Sequence, residues 1–409
     1  MKILASVVMS VACLLAALPA RAAAETPAAQ RALDSLLERG RQTHSAVVLV
    51  LRDGRQIGHY YADDKAPGPI ELMSVTKSVV ALGIGQLLDQ GRIKSLDQPV
   101  ADFYPEWKQG RKKDITVRML LDHTSGLQDL PRTDVEVYPA PDAIQLALAA
   151  ELMSDPGSKA FYSNKAVNLL AGIIAKASGK PMDVFFRDGL FKDMGIHPGG
   201  WDSDDAGHPY AMAGLHLDAS DLARLGQLVL DRGSWQGRQL LSPGFIDAML
   251  AAGPYDEGGA GLLWWRSPQW LHFDGDPESH AMLRKQGVPE SIVRKLQAAL
   301  QHAHFDNPEA MQAGIAKALG QDADTIMREQ LVARGIGPYR LFKLSQGPIV
   351  AWSGNGDGGQ YVVIVPRAHL VAVRQIDANG DSEGAGDDYA DFVDRVIALA
   401  EAEGDLPLP

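Results

Sequence analysis

Residues 26–40 (TPAAQRALDSLLERG) space their apolar positions at helical intervals, with Pro27 in the first turn and Gly40 just past the end. That pattern predicts a capped amphipathic helix. Residues 45–51 are rich in β-branched valine and buried in character, and Asp53-Gly54 separates them from residues 57–62, so a β-hairpin follows. The far end has matching character. Residues 339–344, 349–352, 361–365 and 370–375 are short strand candidates, and a helix is expected from about 387 to 402. Two β-rich ends, each carrying a helix, can combine into one sheet covered by terminal helices.

Between these ends the period is helical. Residues 74–90 are apolar on nearly every inner position and end at Gly91, which predicts a buried helix. Residues 164–178 end at Gly179 and residues 220–232 end at Gly233, so both read as capped helices. The expected organisation is an α/β lobe from about 25–73 and 336–409, a mainly helical lobe over about 74–267, and a polar helical insertion over about 268–335.

Composition narrows the class. The chain has 409 residues, 46% of them hydrophobic, enough for a large core. Its formal charge of -12 repels phosphate backbones, so nucleic acid is not an expected partner. The single cysteine, Cys13, excludes disulfide frameworks and thiolate-rich metal sites. It lies in an apolar run from residue 3 to 18, preceded by Lys2 and followed by Ala20-Arg21-Ala22, the layout of a secretory leader over residues 1–24. The expectation is a periplasmic or secreted protein with no stable membrane anchor after cleavage.

Three short motifs carry chemistry. Ser74-Val75-Thr76-Lys77 is an S-x-x-K tetrad, whose spacing puts hydroxyl and amine on one helix face. A buried lysine has a lowered pKa and can serve as a base. Tyr162-Ser163-Asn164 opens the helix at 164–178; the phenol can relay a proton, the amide can orient a substrate, and Ser163 or Asn164 can equally be an N-cap. Trp352-Ser353-Gly354-Asn355 ends a strand and enters Gly356-Asp357-Gly358-Gly359-Gln360, where glycines allow backbone N–H groups to approach a ligand, or simply form a turn.

Together, SVTK at 74–77, YSN at 162–164 and WSGNGDGGQ at 352–360 resemble the serine β-lactamase and penicillin-binding-protein superfamily, in its class C-like branch. That branch also holds esterases and 6-aminohexanoate-dimer hydrolases. LLDHTSGL at 120–127 and AGLHLDASDLARLGQLVL at 213–230 are similar to the same branch. The resemblance implies an antiparallel sheet flanked by terminal helices with a helical subdomain. It implies Ser74 as acylated nucleophile, Lys77 as proton acceptor, Tyr162 as acid/base partner and Asn164 as the substrate-orienting amide. Trp352, Ser353, Gly354 and Asn355 match the substrate and oxyanion segment, with Trp352 where the family usually carries a cation. That departure favours esterase and nylon-oligomer hydrolase relatives over β-lactamase or D-alanyl peptidase activity. No cofactor is implied, and the expected partner is a small-molecule ester or amide; residue types leave the oligomeric state open.

Rival patterns are weaker. Gly380-Asp381-Ser382-Glu383-Gly384 matches G-x-S-x-G, but no histidine follows it, as an α/β-hydrolase order requires. Asp377, Asn379 and Asp381 resemble a calcium loop lacking its glycine. His302 and His304 have no third ligand at helical spacing, so no catalytic metal is expected. His123 reads as part of a capped helix end, not as a triad member. A non-catalytic binding protein on the same fold is the rival of a different class.

Overall fold

A computed structural model describes residues 26–130, 132–253, 259–377 and 389–406. The leader-like segment and the G-x-S-x-G loop lie outside the described residues. The chain opens with α1 (Pro27–Gln42), whose Thr26 Oγ1 accepts from the Ala29 N–H, then β1 (Val47–Arg52) and β2 (Arg55–Tyr61). Asp53 and Gly54 both take positive φ (48° and 70°), the geometry of a tight turn that matches strand twist. Next come α2 (Val75–Asp89), α3 (Asn164–Ser178) and α4 (Ala219–Leu230). The chain returns through β3 (Trp265–Pro268), β4 (Ile349–Gly356), β5 (Gln360–Val365), β6 (Leu370–Gln375) and α5 (Phe392–Ala402).

These six strands form one antiparallel sheet, ordered β2-β1-β6-β5-β4-β3. The N-terminal hairpin therefore pairs with the C-terminal strands, as the matching character of the two ends requires. Period-two alternation divides the side chains between two cores. Val47, Leu49, Val362, Ile364, Val371 and Val373 join the large core with α2 and α4. Val48, Val50, Val363, Val365 and Ala372 face the core made with α1 and α5. Because both faces are covered, the central strands read as unbroken apolar runs. In α4, a Cβ at Gly226 would stand 2.8 Å from Val371 Cγ1, so glycine sets how closely that helix lies on the sheet.

Two expectations about the added segment need correction. It is not purely helical: its strands Leu271–Gly275, His304–Phe305 and Phe342–Gln346 form a separate three-stranded sheet under helices Glu290–Leu300 and Pro308–Leu319. Phe273, Leu283, Val293, Leu296, Met311, Ile315 and Phe342 make its own core. The strand expected at 339–344 belongs to this small sheet. The reason is one-sided burial: Phe342 is buried whereas Lys343 through Gln346 are exposed, unlike the two-sided strands of the main sheet. Conversely, β3 leaves the expected helical lobe to become an edge of the main sheet.

Candidate active site

Ser74 stands at the head of α2, after Met73, whose φ of 48° turns the chain sharply into the helix. Ser74 does not cap that helix with its side chain, so the hydroxyl is available elsewhere. Lys77, one turn on, lies 2.9 Å from Ser74 Oγ and donates to the Met212 carbonyl at 2.7 Å. The Tyr162 hydroxyl donates to the same Ser74 Oγ at 2.9 Å. A lysine amine and a phenol thus converge on one serine oxygen.

The electrostatics follow from burial. Lys77 is 3% exposed, and desolvation brings its pKa down to about 7, with Asp129 opposing the shift. Near neutrality a large fraction of the amine is unprotonated and can accept a proton. Burial pushes the Tyr162 hydroxyl the other way, upward, while the Ser74 hydrogen bond pulls against it. The phenol therefore holds its proton at neutral pH.

Tyr162 is held on both sides by His123. The Phe161 N–H donates to the His123 carbonyl at 2.8 Å, the Ser163 N–H donates to His123 Nδ1 at 3.2 Å, and the two rings lie 4.6 Å apart. Burial, with Lys77 adding to it, drops the His123 pKa to about 3, so the ring stays neutral and Nδ1 remains an acceptor. Ser163 Oγ accepts from the Ala166 N–H at 3.0 Å and so caps α3. That settles the cap between the two candidates and leaves Asn164 facing the cleft. Buried Lys165 fixes the first turn of α3 through Glu136 (2.7 Å) and Gln128 (2.8 Å), and its N–H donates to Asp129.

The cleft holds about 680 Å³ and is lined by Ser74, Tyr162, Asn164, Met212, Tyr138 and the carboxylates Glu71, Asp134 and Asp357. Behind Ser74 a pocket of about 20 Å³, room for one water, is bounded by Lys77, His123, Tyr162 and Trp265. The third motif behaves differently from its neighbours. Trp352 and Gly354 point toward α2, whereas Ser353 and Asn355 point away, as strand alternation demands. The Trp352 indole donates to the Leu250 carbonyl at 2.9 Å and packs on the large core, so it does not line the cleft. Ser353 is fully buried, and the Asn355 side chain borders a cavity beside α5. The side chains of Trp352, Ser353 and Asn355 thus lie outside the cleft lining, and the expectation for Asn355 concerns its backbone N–H. A Cβ on Gly354 would lie 2.7 Å from Ser78 Oγ, and one on Gly356 would lie 2.6 Å from the Leu72 carbonyl, so two glycines press the strand against the head of α2.

In comparison with known proteins, residues 31–394 match the family described as Beta-lactamase. The chain belongs to the Beta-lactamase family. It is 26% identical over 281 residues to a 6-aminohexanoate-dimer hydrolase of Paenarthrobacter ureafaciens, covering 61% of this chain and 71% of that enzyme. It is 31% identical over 170 residues to the D-alanyl-D-alanine-carboxypeptidase/endopeptidase AmpH of Escherichia coli K12, covering 37% and 44%. It is 28% identical over 172 residues to esterase EstB of Burkholderia gladioli, covering 35% and 43%. The chain thus spans less than half the length of the latter two. A penicillin-binding protein homologue from Caulobacter crescentus shares the fold with a TM-score of 0.58 at 19% identity, over 93% of this chain and 99% of that one. A class C β-lactamase mutant shares it at 0.53 and 16%, over 90% and 97%. The fold is that of the β-lactamases and penicillin-binding proteins, and the chain is a hydrolase of this Beta-lactamase family.

Some residues around this Beta-lactamase-family centre escape a motif search. Met212 holds Lys77 through its carbonyl, a role for which any residue type is equivalent. Trp265, stacked 6.4 Å from Tyr162, arrives on β3 from a stretch with no local signal of a site.

Proposed function

We propose that the chain is a serine hydrolase that cleaves ester or amide bonds of small molecules through an acyl-enzyme on Ser74. The convergence of Lys77 Nζ and Tyr162 OH on Ser74 Oγ, each at 2.9 Å, carries this reading. Unprotonated Lys77 takes the Ser74 proton as Oγ bonds to the substrate carbonyl carbon. The N–H groups of Ser74 and Asn355 hold the resulting oxyanion, a role supported by the glycine-limited approach of β4 to α2. Tyr162 passes its proton to the departing alcohol or amine and is reprotonated by the Lys77 ammonium, which returns both groups to their starting states. A water then attacks the ester on Ser74 and regenerates the hydroxyl.

The lining favours neutral or cationic substrates. Glu71, Asp134 and Asp357 border the cleft, Asp134 paired with Arg132 and Glu71 raised in pKa by burial, and among the described residues the lining includes no arginine. A penicillin or peptidoglycan carboxylate would meet repulsion there, so β-lactamase and D-alanyl peptidase activities are placed second. The leader-like residues 1–24 support a location outside the cytoplasm.

The test is a substrate panel of p-nitrophenyl esters, D-alanyl amides, nitrocefin and 6-aminohexanoate dimer, run on wild type and Ser74→Ala. Ester or amide turnover lost in Ser74→Ala, with unchanged Tm, is the expected result. Turnover retained in the variant contradicts the mechanism, and inert wild type supports a binding role instead.

A further inference from the structure

The added segment carries a second cluster of chemically capable side chains, away from Ser74. His272 lies on the strand Leu271–Gly275, His304 on His304–Phe305, and Asp306 directly follows it. Within the small sheet His304 pairs with Asp274 and Phe305 with Phe273. Alternation then puts His272, Asp274 and His304 on the face opposite buried Phe273.

The side chains on that face are oriented. His304 Nδ1 bonds Asp274 Oδ1 at 2.7 Å, which turns Nε2 toward Asp306, 3.1 Å from its Oδ1. His272 Nε2 lies 3.7 Å from the same Asp306 oxygen, and its ring stacks on Trp270 at 4.6 Å. The three ligand-type atoms lie within 4.8 Å of one another. Zinc bonds to nitrogen and carboxylate oxygen at about 2.0–2.2 Å, so neighbouring ligands of a tetrahedral site stand roughly 3.4 Å apart. The observed 3.1 and 3.7 Å bracket that edge. A carboxylate behind a ligating histidine is also the usual outer partner of such sites.

We propose that His272, His304 and Asp306 form a divalent-metal site selective for imidazole-preferring cations such as Zn(II), with Asp274 orienting His304 and one coordination position left to water. Binding displaces any proton from His304 Nε2 to solvent and ties the His304 strand to the central strand of the insertion. The sequence could raise His304 but not its partners, because the cluster joins residues 272, 304 and 306 through strand pairing, and His302 takes no part. The other His/Asp cluster, Asp142 with Asp204 and His208, is differently engaged: Asp142 Oδ1 and Asp204 Oδ2 accept from the Gln145 and Ala143 N–H groups at the head of helix Ala143–Ala149.

The test uses the full chain stripped with chelator, titrated with Zn(II) by calorimetry and with Co(II) by its ligand-field absorption. One equivalent bound in the micromolar range is expected, with a rise in Tm. His304→Ala and His272→Ala should abolish that binding, and Asp274→Asn should weaken it about 10–100-fold. All three positions lie on the outer face of the small sheet, and wild-type far-ultraviolet circular dichroism confirms that each variant folds. Absence of saturable binding, or one-equivalent binding that survives in folded His304→Ala and His272→Ala, overturns the site and leaves His304 as an ion-pair bridge between Asp274 and Asp306.

Discussion

Lys77→Met removes a buried amine from the head of α2 while keeping a side chain of similar length. In the folded protein the Lys77 pKa falls from 10.5 to about 7 through desolvation. In the unfolded chain it returns to its ordinary value near 10.4. Between those values the unfolded chain binds more protons than the folded one, so stability rises with pH across the window and is flat outside it. The slope approaches 1.4 kcal/mol per pH unit. From pH 7.5 to 9.5 the wild type therefore gains about 2.5 kcal/mol relative to Lys77→Met, whose other titrations are shared and cancel. Below neutrality the charged, buried amine destabilises wild type, and the variant is the more stable protein despite losing the hydrogen bond to the Met212 carbonyl. Urea unfolding of both proteins at four pH values between 6 and 9.5 measures the difference directly. A stability gap that does not change with pH would refute the depressed pKa, and with it the use of Lys77 as a base.

Other consequences follow from the same geometry. The pH profile of kcat/KM should rise with an inflection near 7, because the unprotonated amine is the reactive form of Lys77; a profile flat from pH 5 to 9 would exclude that role. His123→Ala removes the Nδ1 acceptor of the Ser163 N–H and the ring contact with Tyr162, while the Phe161 N–H keeps the carbonyl at position 123, and it should lower kcat by about 10–100-fold with a smaller change in KM. An unchanged kcat would mean that the His123 ring and its Nδ1 bond do not position the phenol. Gly356→Ala puts a Cβ 2.6 Å from the Leu72 carbonyl, so β4 must retreat from α2; acylation should slow about 100-fold, and unaltered burst kinetics would show that the strand backbone does not serve the oxyanion.

Legibility in the sequence depended on how local each signal was. Ser74 and Lys77 are one helical turn apart, so a tetrad specifies their proximity before any tertiary contact forms. Helix 164–178 was equally readable, because Ser163 caps it and Gly179 ends it in a left-handed conformation. The hairpin at Asp53-Gly54 and the two-sided apolar strands exposed the main sheet in the same way. Position 352 misled because the motif is aligned by neighbours, whereas a side chain's direction is set by strand phase: Trp352 falls on the core side and bonds Leu250. Trp265, the Met212 carbonyl and the 272–304–306 cluster depend on pairings between distant segments, for which residue type alone carries no signal.

The central claim is that Ser74 becomes acylated. Folded wild type and Ser74→Ala are treated with a fluorophosphonate probe, and the intact masses and proteolytic peptides are measured. A single adduct on the peptide containing Ser74, absent from Ser74→Ala and from Lys77→Met at neutral pH, is the predicted result. An unmodified wild type, or an adduct mapped to any other residue, contradicts the account.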